Sequence, residues 1–226
     1  MTAMAALVSI LRKDLRLELR SGLSTIALVS LSLLILVVLV FALPASAQRG
    51  AEPAAGALWV ALIFSGMLGA TRAVLAEREN GCIRALLLSP VDPATLYAAK
   101  LAASFIFMAV AEIATVLMMV LFFNLDFGPG ILRLAPVILL GALGFAALAT
   151  LLAAISGRTH AGDLLLPLLA VPMFVPALIA GVKTSSAALA GEPLAAMAAW
   201  LKILTAFDVL FVVSGWLLFE FVVGED

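Results

Sequence analysis

Six long apolar runs constrain this chain more than any other feature. Each supplies about 20 residues with few charges, the length that a helix needs to cross the hydrocarbon core of a bilayer. The segments between them carry proline, glycine and charge, which are typical of connections. We predict an all-α integral membrane protein with six spans in a single domain, residues 1–226. The predicted spans are Leu23 to Leu43, Ala57 to Ala76, Leu101 to Phe123, Ile131 to Ile155, Leu164 to Val182 and Leu201 to Val223.

The composition supports this class and excludes several functions. Hydrophobic residues make up 65% of the 226 residues and charged residues 12%, whereas soluble domains hold about half and a quarter. A net charge of -1 provides no basic surface for nucleic acid. The single cysteine, Cys82, cannot form an internal disulfide or supply a metal site by itself. The connections leave no room for an ATP-binding or soluble catalytic module, so energy must come from partner chains.

The distribution of lysine and arginine predicts the orientation, because cytoplasmic ends of spans carry the excess of positive charge. Both termini are predicted to be cytoplasmic. The predicted cytoplasmic set is Arg12, Lys13, Arg16, Arg20, Arg72, Arg78, Arg84, Lys100 and Arg158, and the predicted outer set is Arg49, Arg133, Lys183 and Lys202.

The segment before the first span has helical periodicity. One face of a helix over Leu7 to Arg20 is apolar, and another is basic. Such a helix lies at a membrane surface, where each basic residue gains roughly 1 kcal/mol from anionic headgroups. Two readings stay open, a pure lipid anchor and an anchor that also touches a cytoplasmic partner. The basic residues are Arg12, Lys13, Arg16 and Arg20.

A charged segment, residues 77–100, connects the second and third spans. Mixed charges extend the second span, and Gly81 suits the positive φ that ends a helix. A short helix with an apolar ridge follows and stops before Pro90. Asp92 and Pro93 then have the N-cap and N1 pattern of the next helix. This island is predicted to dock on a soluble partner, with a surface helix as the alternative, through Glu77, Arg78, Glu79, Gly81, Ile83, Leu86, Leu87, Ser89, Pro90 and Asp92.

The island resembles the coupling region of type 2 ABC exporter permeases. The resemblance rests on Glu77-Arg78-Glu79-x-Gly81, on the Leu86 to Pro90 stretch, and on Lys100. More narrowly, the chain resembles the CcmB permease family of the cytochrome c maturation system along nearly its whole length. Further matching pieces are Arg12 to Arg20, Leu58 to Ala61, Leu87 to Asp92, Leu96-Tyr97, Ala206 to Phe211 and Leu218 to Glu220.

The resemblance implies a permease that is not itself an enzyme and works in the bacterial inner membrane. It implies a possible homodimer, a cytoplasmic ABC ATPase that holds ATP and Mg, a tryptophan-rich haem-handling membrane subunit and a periplasmic haem chaperone. Membrane lipid is the further expected partner. The output would be haem export or release of the loaded chaperone. The alternatives are a general type 2 exporter of a lipid, glycan or drug, and an intramembrane enzyme or scaffold.

Besides Arg133 and Lys202 at the outer ends, four ionisable residues fall inside the predicted spans. A charge at bilayer depth costs at least about 2.5 to 3.5 kcal/mol, so these side chains should face protein or water. Arg72 and Glu220 are predicted at similar depth, and we hypothesise that they pair. Glu112 has no evident cation at its depth, and either carries a proton or lines a cavity. The intramembrane polar residues are Arg72, Glu112, Asp208 and Glu220, with structural packing as the alternative for all four.

The sequence offers no evident haem site. Axial ligands are His, Cys, Met or Tyr, and the only histidine, His160, falls in a predicted inner loop. No resident cofactor or metal is therefore expected on this chain. The pairs Gly66 with Gly69 and Gly141 with Gly144 predict close helix packing. The segment Thr184 to Trp200 is predicted to form short half-helices that dip into the outer leaflet.

Overall fold

The computed structural model describes residues 3–21, 23–44, 50–79, 92–125, 128–156 and 162–224. These residues form seven helices, and no strand occurs among them. The helices are α1 (Ala3–Ser21), α2 (Leu23–Ala42), α3 (Ala51–Glu79), α4 (Pro93–Phe122), α5 (Pro129–Ser156), α6 (Gly162–Leu189) and α7 (Leu194–Gly224).

Six of these helices, α2 to α7, are long and apolar enough to cross a membrane. The predicted all-α class and the predicted six spans are therefore confirmed. Helices α3 to α7 run beyond the predicted apolar segments, because a helix does not stop where hydrophobicity does. We call the end at which α2, α4 and α6 begin the inner end, and the opposite end the outer end.

The connection between α6 and α7 is a four-residue turn. Gly191 adopts a φ of 75°, and the amides of Gly191 and Glu192 bond back to the carbonyls of Ala188 and Ala187. This pair of bonds is the Schellman motif, which closes a helix with a left-handed residue. The prediction of separate half-helices over 184–200 is wrong, because these residues form the ends of two long helices on either side of the turn.

The centre of the bundle is organised around Trp59 of α3. Its ring is fully buried, and its Nε1 donates a hydrogen bond to Ser185 Oγ of α6 at 2.9 Å. Both Gly141 of α5 and Gly181 of α6 abut the indole, so that a methyl group at either position would collide with it. Helix α3, which carries Trp59, therefore meets α5 and α6 at this one side chain.

A cluster of aromatic rings extends this centre toward α7. Phe174 of α6 stacks against Trp59 and meets Phe145 and Phe207 edge to face, with centroid separations of 6.3, 5.1 and 5.5 Å. Phe207 then contacts Phe211 at 4.5 Å. Edge-to-face and offset arrangements are the favourable ones for aromatic pairs, so the cluster fixes how α5, α6 and α7 face one another.

The glycine pairs singled out in the sequence lie at close helix contacts, which confirms that prediction. Gly66 meets Met108 and Phe145, and Gly69 meets Leu28 of α2. Gly144 lies against Phe207 and Asp208 of α7. In a bilayer, where apolar surface gains nothing by leaving lipid, such close backbone approach is a main source of helix association.

We predict that Gly181→Ala destabilises the protein by about 1 to 3 kcal/mol, because the added methyl group overpacks the site against Trp59. The matched control is Gly56→Ala, since a methyl group there meets nothing within 4 Å. Thermal unfolding in detergent should show a lower midpoint for the first variant only. Equal midpoints for the two variants would contradict the close fit around the indole.

The Trp59–Ser185 hydrogen bond provides a second test. Ser185→Ala leaves the buried indole N–H without its acceptor, which we expect to cost about 1 to 3 kcal/mol. Ser186→Ala removes a serine hydroxyl from the next residue and serves as the control. The prediction fails if both serine variants unfold at the same temperature in detergent.

Candidate functional site

The helices on either side of the predicted docking island are well defined at the inner end. Helix α3 continues to Glu79, so the mixed charges of Glu77, Arg78 and Glu79 extend it as one final turn. Their side chains lie outside the described residues, as does the segment 80–91 with the remaining predicted docking residues. Those residues are Gly81, Ile83, Leu86, Leu87, Ser89 and Pro90, and their role in docking stays a prediction.

Asp92 begins α4 as the sequence predicts. Its carboxylate accepts a hydrogen bond from the amide of Thr95 at 3.3 Å, and Pro93 follows in the first turn. A side-chain acceptor at the N-cap satisfies an amide that the helix leaves unpaired, and proline at N1 has no amide to satisfy. The start of α4 is thus fixed by its own sequence, directly after the island.

The first helix packs on the inner ends of the bundle. Ile10 of α1 is buried in a cluster with Leu96, Tyr97 and Ala99 of α4 and Phe219 of α7. The ring of Tyr97 contacts that of Phe219 at 5.5 Å between centroids. Helix α1 is therefore in contact with protein along its apolar face near Ile10.

Tyr97 joins α4 to α7. Its hydroxyl donates a hydrogen bond to the carbonyl of Phe211 at 3.4 Å, and its ring occupies the space that Gly215 leaves open. Because a side chain at position 215 would displace the ring, the inner end of α7 is shaped to receive this tyrosine. The sequence distinguishes Tyr97 only through the family resemblance, and its contact with α7 was not predicted.

A carboxylate lies among the basic residues of α1. The Asp14 side chain is 18% exposed, with Lys13 Nζ 3.1 Å from Oδ1 and Lys100 Nζ of α4 3.4 Å from Oδ2. The second contact lacks the alignment of a hydrogen bond and is a contact between charges. The predicted basic face assigned no role to Asp14, although this residue directly follows Lys13 in the sequence.

The predicted basic face of α1 is divided in the structure. Arg12 and Arg16 are exposed, one turn apart, whereas Lys13 turns toward Asp14 and is 41% exposed. Arg20 lies in the helix, with its side chain outside the described residues. The exposed arginines are free to meet headgroups, and the apolar side of the helix meets α4.

Two carboxylates lie deep inside the bundle. Glu112 of α4 is 4% exposed, and Asp208 of α7 is 3% exposed. Within the described part of the chain, Glu112 Oε2 and both oxygens of Asp208 have no hydrogen-bond partner. Asp208 lies against the backbone of Gly144, at the edge of the aromatic cluster. Both acids face protein, not lipid, and the structure does not bring them into contact with a described cation.

The hypothesised pair of Arg72 and Glu220 remains a hypothesis. Arg72 lies near the inner end of α3, and Glu220 falls in the last turns of α7. The side chain of Glu220 is outside the described residues. Both residues therefore occupy the inner ends of their helices, as the sequence predicts.

Polar contacts at the outer end were not foreseen from the sequence. Lys183 of α6 pairs with Glu52 at the start of α3, with 3.0 Å between Nζ and Oε1. Arg133 of α5 donates a hydrogen bond to the carbonyl of Glu192 at 3.1 Å. Each contact joins residues far apart in sequence, so no local pattern announces it.

The described residues contain no group of three His, Cys, Asp or Glu side chains that could hold a metal ion. His160 lies outside the described residues. Three methionines, Met67, Met119 and Met197, are buried in the hydrophobic core, which is the usual role of methionine.

The relatives of this chain and the family profile that it matches agree with one another. A heme exporter protein B from Rhodobacter capsulatus is 27% identical over 77% of this chain and 80% of that protein. The heme exporter protein B of Bradyrhizobium diazoefficiens is 28% identical over 83% of this chain and 84% of its own length. That of Pseudomonas aeruginosa is 34% identical over 67% of both chains. The family profile described as CcmB protein matches residues 5–220, from the first turn of α1 to the last turns of α7, and the chain therefore belongs to the CcmB family.

Proposed function

We propose that this chain is the transmembrane permease subunit of an ABC transporter complex for cytochrome c biogenesis. It couples ATP hydrolysis on a partner chain to haem export, or to release of a haem-loaded periplasmic chaperone. The observation that carries the proposal is the match to the CcmB family over residues 5–220, together with relatives named heme exporter protein B.

The inner end supports a coupling role. Helices α3 and α4 are long and continuous, and they end and begin on either side of the segment 80–91. A force applied there acts directly on two spans, because α3 and α4 pack together and both contact α2 and α5. The N-cap hydrogen bond of Asp92 stabilises the first turn of α4, directly after this segment.

The interior supports a mechanical output. Trp59 and the phenylalanine cluster fill the space between α3, α5, α6 and α7, with Gly141 and Gly181 closed against the indole. These contacts favour a mechanical output over passage of haem through the middle of this subunit. Motion passed along such a closely packed bundle would change the outer surface as a unit, since packed interiors transmit strain.

The proposal assigns the other tasks to partner chains. The cytoplasmic ABC ATPase binds ATP and Mg, a tryptophan-rich membrane subunit handles haem, and a periplasmic chaperone receives it. A gentle detergent pull-down of the tagged chain from its native membrane, with mass spectrometry and an absorption spectrum, tests this assignment. An ATPase together with a haem-handling subunit is the expected result. An ATPase without haem proteins would favour a general type 2 exporter.

We predict that Leu86→Asp/Leu87→Asp uncouples the partner ATPase while the chain stays inserted in the membrane. Two charges on the predicted apolar ridge would leave buried carboxylates unpaired at the interface. Stimulated ATP hydrolysis should fall by about tenfold or more, as expected when a central contact is lost. Leu86→Met/Leu87→Met conserves volume and apolarity and should keep the stimulation. Normal copurification and stimulation in the Asp variant would exclude docking through this ridge.

The orientation leads to a further prediction. Because the predicted cytoplasmic side carries most of the lysine and arginine, both termini should lie in the cytoplasm. A green fluorescent protein fused to the C-terminus should fluoresce, and alkaline phosphatase fused at the same site should be inactive. Fusions in the predicted outer loop between α4 and α5 should behave in the opposite way. The reverse pattern would place both termini on the outer side of the membrane and would contradict the predicted orientation.

A further inference from the structure

We propose that Asp14 and Lys100 form a latch that ties α1 to α4, so that α1 moves with the start of α4 as one body. The latch consists of the Asp14 and Lys100 side chains and the apolar contacts of Ile10 beneath them. Asp14 and Lys100 act as positioning residues for coupling. This inference deepens the proposed function and rests on it where it concerns the partner ATPase.

The ion pair is placed where it can hold two helices together. The Lys100 and Asp14 side chains are 14% and 18% exposed, whereas Lys13, the other cation at Asp14, is 41% exposed. A pair withdrawn from water is screened less than an exposed pair, so salt weakens the Lys100 contact less than the Lys13 contact. The Lys100 contact also joins separate helices, while Lys13 and Asp14 are neighbours on one helix.

The apolar contacts place α1 in the same rigid group. Ile10 lies one turn before Asp14 on α1 and is buried against Leu96, Tyr97 and Phe219. Tyr97 is in turn bonded to the Phe211 carbonyl and fitted against Gly215 of α7. The latch therefore connects α1, through the first two turns of α4, to the inner half of α7.

This arrangement separates the latch from a simple lipid anchor. An anchor is held by headgroups and hydrocarbon, and a substitution on another helix would not release it. Lys100 belongs to α4, and its Nζ lies 3.4 Å from Oδ2 of Asp14 on α1. A neutral side chain at position 100 should therefore loosen α1, although α1 itself is unchanged.

Hydrogen–deuterium exchange of the chain in nanodiscs tests the latch directly. In Lys100→Gln and in Asp14→Asn, amide exchange across residues 3–21 should rise by about threefold or more, a typical effect of losing one such contact. Lys100→Arg keeps the charge and should retain the protection. Lys13→Gln removes the more exposed cation, which belongs to α1 itself, and is the matched control, with a smaller rise in exchange than Lys100→Gln. Unchanged exchange in Lys100→Gln, or an equal rise in Lys13→Gln, would overturn the latch.

The coupling role is tested in the complex with the copurified ABC ATPase. Stimulated ATP hydrolysis should fall by about threefold or more in Asp14→Asn and in Lys100→Gln. The double variant should be no worse than the poorer single variant, because the contact between Asp14 and Lys100 is lost in each of them. Full stimulation in the single variants, or additive losses in the double variant, would overturn the role in coupling. If the wild-type chain binds no ATPase, the proposed function fails, and the exchange experiment alone decides the latch.

Discussion

The fit of three helices around the Trp59 indole is the constraint on which the rest of the bundle depends. Apolar side chains gain little by leaving lipid for protein, so close contact and interhelical hydrogen bonds must provide the association. Here Gly141 and Gly181 allow α5 and α6 to reach the ring, and Ser185 accepts its N–H. The positions of the phenylalanine rings on α6 and α7 follow from that arrangement.

Four acidic side chains fall into two groups with different environments. At both ends of the bundle they pair, as in Asp14 with Lys100 and Lys183 with Glu52. In the interior, Glu112 and Asp208 are buried without a hydrogen-bond partner at three of their four oxygens among the described residues. The end pairs join neighbouring helices, whereas the interior acids lie at a depth where a charge is costly.

Much of the architecture could be predicted from local sequence. The apolar runs gave six spans because bilayer thickness sets their length, and Asp92 with Pro93 marked the start of α4 because capping is a local interaction. The half-helices predicted after Thr184 were wrong, since polar and small residues can continue a helix as well as interrupt it. The Asp14–Lys100 contact could not be predicted, because α1 and α4 are separated by two spans and their pairing depends on tertiary packing.

The outer turn between α6 and α7 has a consequence for any molecule that binds there. Its backbone is closed by the Schellman bonds of Gly191 and Glu192, and Arg133 holds the Glu192 carbonyl from α5. Gly130 also packs directly on the end of α6. A partner that meets this surface therefore pays little conformational entropy for ordering it. Its affinity there depends on complementary shape, and it can dissociate without leaving a disordered loop to be refolded before the next encounter.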